Sequence, residues 1–256
     1  MIETNMTFIT LALSAVFFVA GFIDSIAGGG GLLTIPALLM AGIPPQTALG
    51  TSKFAAVLGT SVATINFAKN NKIVWKVVAL GIIFSLLGAS GGSKTILFFS
   101  NETVGKIIVF LLPVAMAITL APKKDMGLVK EISEKDLYLK VPLIALAIGF
   151  YDGFFGPGAG SLFIIAFYLI LHLNLVQASG TAKAFNLASG IGALTVFLIE
   201  GKVILLLALP LATANIAGNY LGSLLAIKKG AAVVKVFLVV SLLILFCSLL
   251  SKYILS

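Results

Sequence analysis

Four charged residues, Asp24, Lys53, Asp152 and Lys183, interrupt long apolar runs of this chain. A charge inside a membrane helix costs at least about 2.5 kcal/mol on insertion scales, so it faces a cavity or a partner. Lys53 and Lys183 would give a central polar site its positive charge, each as a point charge rather than a bidentate fork. The other reading is an Asp–Lys ion pair that only ties helices together. Glycine clusters follow both aspartates: Gly28, Gly29, Gly30 and Gly31 after Asp24, and Gly156, Gly158 and Gly160 after Asp152. A helix that opens on such a cluster offers unpaired N–H groups and the positive end of its dipole, which bind an anion without a metal. Glycine also lets a ligand approach the backbone. Thr51 and Thr181 precede their lysines by two residues and would add hydroxyls to the same cavity. The expected substrate-binding set is therefore these seven glycines, two threonines and two lysines, with Asp24 and Asp152 as coupling or ion-pair residues. Gly88, Gly92, Gly218 and Gly222 read instead as packing glycines, because small residues let membrane helices approach. Asn66, Asn186, Asn215 and Asn219 are polar groups that either bridge helices or join the site.

Enzymatic chemistry is poorly served. His172 is the only histidine and lies in a short loop, so no Ser–His–Asp set is expected. The chain has no P-loop, no HExxH and no GxGD-like aspartate pair. Cys247 is the only cysteine, which excludes an internal disulfide or a cysteine metal site. No cofactor or metal is expected.

The candidate residues come in pairs. Gly21-Phe22-Ile23-Asp24 recurs as Gly149-Phe150-Tyr151-Asp152, and Gly50-Thr51-Ser52-Lys53 recurs as Gly180-Thr181-Ala182-Lys183. Lys72-Ile73 matches Lys202-Val203, Gly88 and Gly92 match Gly218 and Gly222, and Lys106 matches Lys235, at an offset near 130 throughout. The chain thus reads as a first transmembrane repeat (1–121), a charged cytoplasmic linker (122–140) and a second repeat (141–256).

The elements that must carry these residues are membrane helices. Of 256 residues, 60% are hydrophobic and 10% charged, and mean hydropathy is +1.16; a soluble domain carries about 25% charged residues. Apolar runs long enough to span a bilayer recur along the chain, without the alternation of a membrane barrel. The fold class is all-α, a polytopic helical membrane protein. Breakers divide each half into five segments, at 6–27, 31–42, 46–67, 73–98 and 103–121, then 139–155, 158–171, 176–199, 203–226 and 232–254. The second segment of each half is too short to span and reads as a half-helix, leaving about eight full spans in all. All 17 basic residues are lysines, between apolar runs rather than on a basic face, so nucleic-acid binding is not expected. Basic loops alternate in opposite phase in the two halves, which gives the repeats inverted topology. If segments one and two instead form a single crossing, the repeats are parallel. The N-terminus, with Glu3 and no basic residues, reads as a retained helix rather than a cleaved signal.

The stretch AGFIDSIAGGGGLLTIPALLMAGIPPQTALGTSKF, with its echo GFYDGFFGPGAGS…ASGTAKAFN, resembles the sulfite exporter TauE/SafE family of bacterial and archaeal membrane proteins. The likeness covers nearly the whole chain. It implies a multi-pass plasma-membrane transporter, with sulfite, sulfoacetate or related organosulfonates as proposed substrates. The expected function is transport of a small anion by alternating access between the repeats, with the lipid bilayer as the other partner and a homo-oligomer compatible with the composition. Export of a monoanion is driven by an inside-negative potential, whereas uptake needs a coupling ion such as a proton on Asp24 or Asp152. The alternative is a proton- or cation-coupled antiporter that uses Asp24 and Asp152 as ion ligands. A membrane scaffold is the weakest reading, for want of a sizeable soluble domain.

Overall fold

The computed structural model describes residues 2–120 and 134–229. These form helices α1 (Ile2–Ala27), α2 (Gly31–Met40), α3 (Pro45–Lys69), α4 (Trp75–Leu97), α5 (Asn101–Leu120), α6 (Glu134–Phe154), α7 (Ala159–Leu169), α8 (Leu175–Ile199) and α9 (Leu205–Lys229), with no strand among the described residues. The all-helical expectation holds, and each helix falls close to an expected segment. One boundary differs: α6 begins at Glu134, so the end of the charged stretch 122–140 is helical. Residues 122–133, the segment 232–254 and Cys247 lie outside the described residues.

Local chemistry sets the helix ends. Pro45 opens α3, where a missing N–H costs nothing. The side chain of Asn174 caps α8 by accepting from the Gln177 N–H at 2.9 Å. Six of the described helices are long and apolar enough to cross a membrane: α1, α3, α4, α6, α8 and α9. The half-helices α2 and α7 have 10 and 11 residues, about 15 Å at 1.5 Å per residue, half a hydrocarbon core. The chain is a multi-pass helical membrane protein.

Close contacts give the helix directions. Gly218 lies against Phe18 and Gly222 against Phe22, so α9 runs parallel to α1. Gly59 meets Asn215, and Asn66 bonds Ser223 at 2.8 Å, so α3 runs with them. Gly88 lies against Leu146 and Gly92 against Phe150, making α4 parallel to α6. Ser85 donates to the Phe185 carbonyl at 3.0 Å and Gly192 meets Ser90, so α8 runs with α4. Between the two sets the sense reverses. Gly50 faces Phe197, Val57 faces Gly190 and Phe67 faces Gly180, so α3 and α8 are antiparallel. Thus α1, α3 and α9 point one way, and α4, α6 and α8 the other. The chain must fold back through α2 between α1 and α3, and through α7 between α6 and α8.

The four glycines expected to pack do so. A Cβ at Gly88, Gly92, Gly218 or Gly222 would run into the backbone carbonyl of the neighbouring helix. Each crossing is backbone on backbone, with the Ser25 hydroxyl also against Gly222. Gly92→Leu is expected to destabilise the protein by at least about 1–3 kcal/mol through overpacking. Thermal unfolding of the purified protein in detergent checks this, with Gly91→Leu as the control because a Cβ there meets only a ring carbon at 3.8 Å.

Candidate functional site

The two chain breaks meet at the centre of the molecule. α1 ends at Gly28, whose φ of +72° suits glycine, and a Cβ there would strike Gly160 in the first turn of α7. Ser161 ties the ends together. Its N–H donates to the Gly28 carbonyl at 3.1 Å, and its hydroxyl lies 2.6 Å from the Ala27 carbonyl and 2.8 Å from that of Gly28. The last carbonyls of α1 are thus capped by the start of α7.

Each lysine crosses to the other half. Lys53 Nζ, on α3, donates to Asp152 Oδ1 and to the Asp152 carbonyl, both at 3.0 Å. Lys183 Nζ, on α8, donates to Asp24 Oδ2 at 2.8 Å and to the Asp24 carbonyl. Both ammonium groups therefore sit at the C-terminal, negative end of a helix, where a cation is favoured. Gly156, with φ of +94°, leaves room for one of them: a Cβ there would stand 3.4 Å from Lys53 Nζ.

The pairs differ in what surrounds them. The Lys183 side chain is 0% exposed, with its Asp24 partner at 21%. Lys53 is 14% exposed and Asp152 9%, and both line a cavity of about 70 Å³, enough for several waters or a small solute. Asp152 has its second oxygen on the Ser189 hydroxyl at 2.6 Å. The second oxygen of Asp24 instead accepts the Gly30 N–H at 3.2 Å, at the start of α2. The positive end of α2 thus already has a carboxylate. At the start of α7, Gly158 and Gly160 line the cavity, and their N–H groups have no hydrogen-bond partner among the described residues.

The cavity gathers most of the expected residues, namely Asp24, Gly28, Gly30, Gly31, Lys53, Asp152, Gly156, Gly158 and Gly160. Four expected substrate ligands are not in its lining. Gly29 is buried in the break before α2. Thr51 Oγ1 accepts the Ile204 N–H and Thr181 Oγ1 accepts the Val74 N–H, both at 3.1 Å. These threonines hold the turns that lead into α9 and α4, away from the cavity lining. Lys183 is sealed behind Asp24.

Other polar groups enter the lining in their place. Thr34 and Ser52 share a hydroxyl hydrogen bond of 2.6 Å on the Lys53 side. Asn186 also lines the cavity, and its Oδ1 is buried with no partner among the described residues. Ser52 and Ser161 sit inside the quoted motifs. A serine's role depends on which backbone it meets, and spacing does not carry that.

The sulfite exporter TauE/SafE family model matches residues 13–249. The chain is 37% identical over 223 residues to a probable membrane transporter protein of Sinorhizobium sp, covering 87% of this chain and 85% of that one. It is 37% identical over 236 residues to the probable membrane transporter protein YfcA of Escherichia coli (strain K12), covering 90% and 86%. A probable membrane transporter protein of Haemophilus influenzae is 34% identical over 229 residues, covering 89% of each chain. No solved structure matches this chain.

Removing one partner of a buried ion pair strands the other charge and costs about 3–5 kcal/mol. Lys183→Ala is expected to cost the more of the two, because the side chain it removes is fully buried and leaves a void as well as a stranded carboxylate. Lys53→Ala removes a side chain that already lines the cavity, and so leaves no new void in the packing. Chemical or thermal unfolding of both variants in the same detergent tests the ranking.

Proposed function

This chain belongs to the sulfite exporter TauE/SafE family, and we propose that it is a secondary transporter of a small anion across the plasma membrane, by alternating access between two inverted repeats. The coarser statement, a multi-pass membrane transporter of that family, follows from the match and the helices. Three observations support inverted repeats. α1 and α6 point in opposite directions, as do α3 and α8. The ion pairs Lys53–Asp152 and Lys183–Asp24 are the same contact made in both senses. The threonine turn contacts repeat the relation. The apolar runs of the sequence argue for about eight full spans in all.

The observation that carries the anion reading is the cavity wall formed by Lys53 and the open N-terminus of α7. Here Lys53 and the glycines of the α7 N-terminus line one small space, where an ammonium and backbone N–H groups without a partner among the described residues are available to an oxyanion. Both aspartates already accept from a lysine, and no group of three His, Cys, Asp or Glu is gathered among the described residues. The family description places sulfite first among substrates to test, followed by organosulfonates and small carboxylates.

The test is counterflow of radiolabelled sulfite, methanesulfonate and acetate in proteoliposomes. Wild type is expected to exchange at least one of them. Lys53→Ala should weaken that exchange by about 1.5–3 kcal/mol, roughly 10- to 150-fold in affinity, the range for a hydrogen bond to a charged group. Equal exchange by wild type and Lys53→Ala would remove Lys53 from the site.

A further inference from the structure

Given the transport reading above, we infer that Asp152, and not Asp24, is the proton-coupling residue, and that the protein carries a monoanion and a proton together. The observation is a difference in what each carboxylate touches. Asp152 Oδ2 is 2.6 Å from the Ser189 hydroxyl. That hydroxyl also lies 3.2 Å from the Asn186 carbonyl. A hydroxyl both donates and accepts. When Asp152 is ionised, Ser189 donates to it. When Asp152 carries a proton on Oδ2, that proton is donated to Ser189 Oγ and the serine hydrogen turns to the Asn186 carbonyl. Both protonation states are satisfied with no atom moved except hydrogens.

Asp24 has no hydroxyl partner of this kind among its hydrogen bonds. Its Oδ1 accepts from the Gly30 N–H and its Oδ2 from Lys183, and neither group has a lone pair to receive a proton from a carboxylic acid. Protonating Asp24 would break its bonds and strand the fully buried Lys183 ammonium, which does not reach the cavity.

Charge then ties the proton to the ligand. With Asp152 ionised, Lys53 and Asp152 sum to zero and a monoanion gains little. With Asp152 protonated, Lys53 loses its counter-charge and the site holds one net positive charge, which a monoanion neutralises. The other groups around Asp152 leave this unchanged. α3 supplies Lys53; α8 supplies Ser189 and Lys183, the latter held by Asp24 from α1. Lys94 on α4 is exposed, α7 carries no acidic or basic side chain and Tyr168 as its one phenol, and the Tyr151 hydroxyl donates to the Pro157 carbonyl at 2.7 Å. The cycle takes one proton from one side onto Asp152, binds the anion at Lys53, and releases both on the other side, moving no net charge.

The experiment uses the full chain in proteoliposomes with radiolabelled methanesulfonate, which stays a monoanion across the neutral range, so any pH dependence belongs to the protein. The membrane potential is clamped at zero and an inward tenfold proton gradient is imposed. Wild type is expected to accumulate the anion about tenfold, since one pH unit is worth about 1.36 kcal/mol. Asp152→Asn is expected to lose proton-driven accumulation, so that whatever exchange remains reaches only equal concentrations on the two sides. A trapped pH dye should report about one proton entering per anion in wild type, which keeps the idea testable even if the variant does not fold. Wild type that exchanges without accumulating, proton entry near zero, or full accumulation by Asp152→Asn would each overturn the assignment of Asp152. Wild type that neither exchanges nor accumulates methanesulfonate would sink the transport reading for this anion class, and the coupling with it.

Discussion

A lysine cannot sit at membrane depth without a partner, and each of the two lysines in this chain finds its partner on the other half of the molecule. Lys53 leaves α3 to hold the end of α6, and Lys183 leaves α8 to hold the end of α1. Both α1 and α6 end at glycine turns, and their final carbonyls would otherwise lack donors. Each lysine answers a backbone carbonyl and a carboxylate at the same helix end. The broken helices, the glycine turns after them and the reversed half-helices all follow from having something at that depth to receive them. Gly28 meeting Gly160 is the consequence in the backbone: the two breaks can touch only where neither has a side chain.

Much of this was legible in the residues. The helix segments followed from apolar runs and breakers, because a membrane helix must be continuous, apolar and about 20 residues long. The four buried charges stood out because charge in such a run is expensive. The glycine clusters marked the breaks. Partner choice was not legible. Lys53 and Asp152 are 99 positions apart, and Lys183 and Asp24 are 159 apart. An ion-pair role and a site role are both open for each lysine; the structure puts both in ion pairs, and Lys53 alone of the two in the cavity lining. Thr51 and Thr181 were misplaced for a related reason. Their spacing from the lysines sets them on the same helix, but two residues along a helix is a turn of about 200°, onto another face. That face meets the turns into α9 and α4 rather than the cavity.

The departure from two-fold likeness has functional content. Lys183 is sealed behind Asp24, whereas Lys53 opens on the cavity. One half-helix start is answered by Asp24, and the other is left open beside Lys53. In a transporter built of two related halves, a site that faces one side must be asymmetric in each of its end states. On the proposed mechanism, Lys183 and Asp24 hold the halves together while Lys53 is the ammonium open to solute.

The central claim is that the ammonium of Lys53 is the charge a transported anion meets. Replacing Lys53 by cysteine in a Cys247→Ser background, then treating with bromoethylamine, rebuilds a lysine isostere at that one position. The account predicts that Lys53→Cys has lost most anion exchange, that the new thiol is alkylated from the cavity, and that exchange returns with the charge. Exchange that is intact before alkylation, or that fails to return once the modification is verified by mass spectrometry, would contradict it.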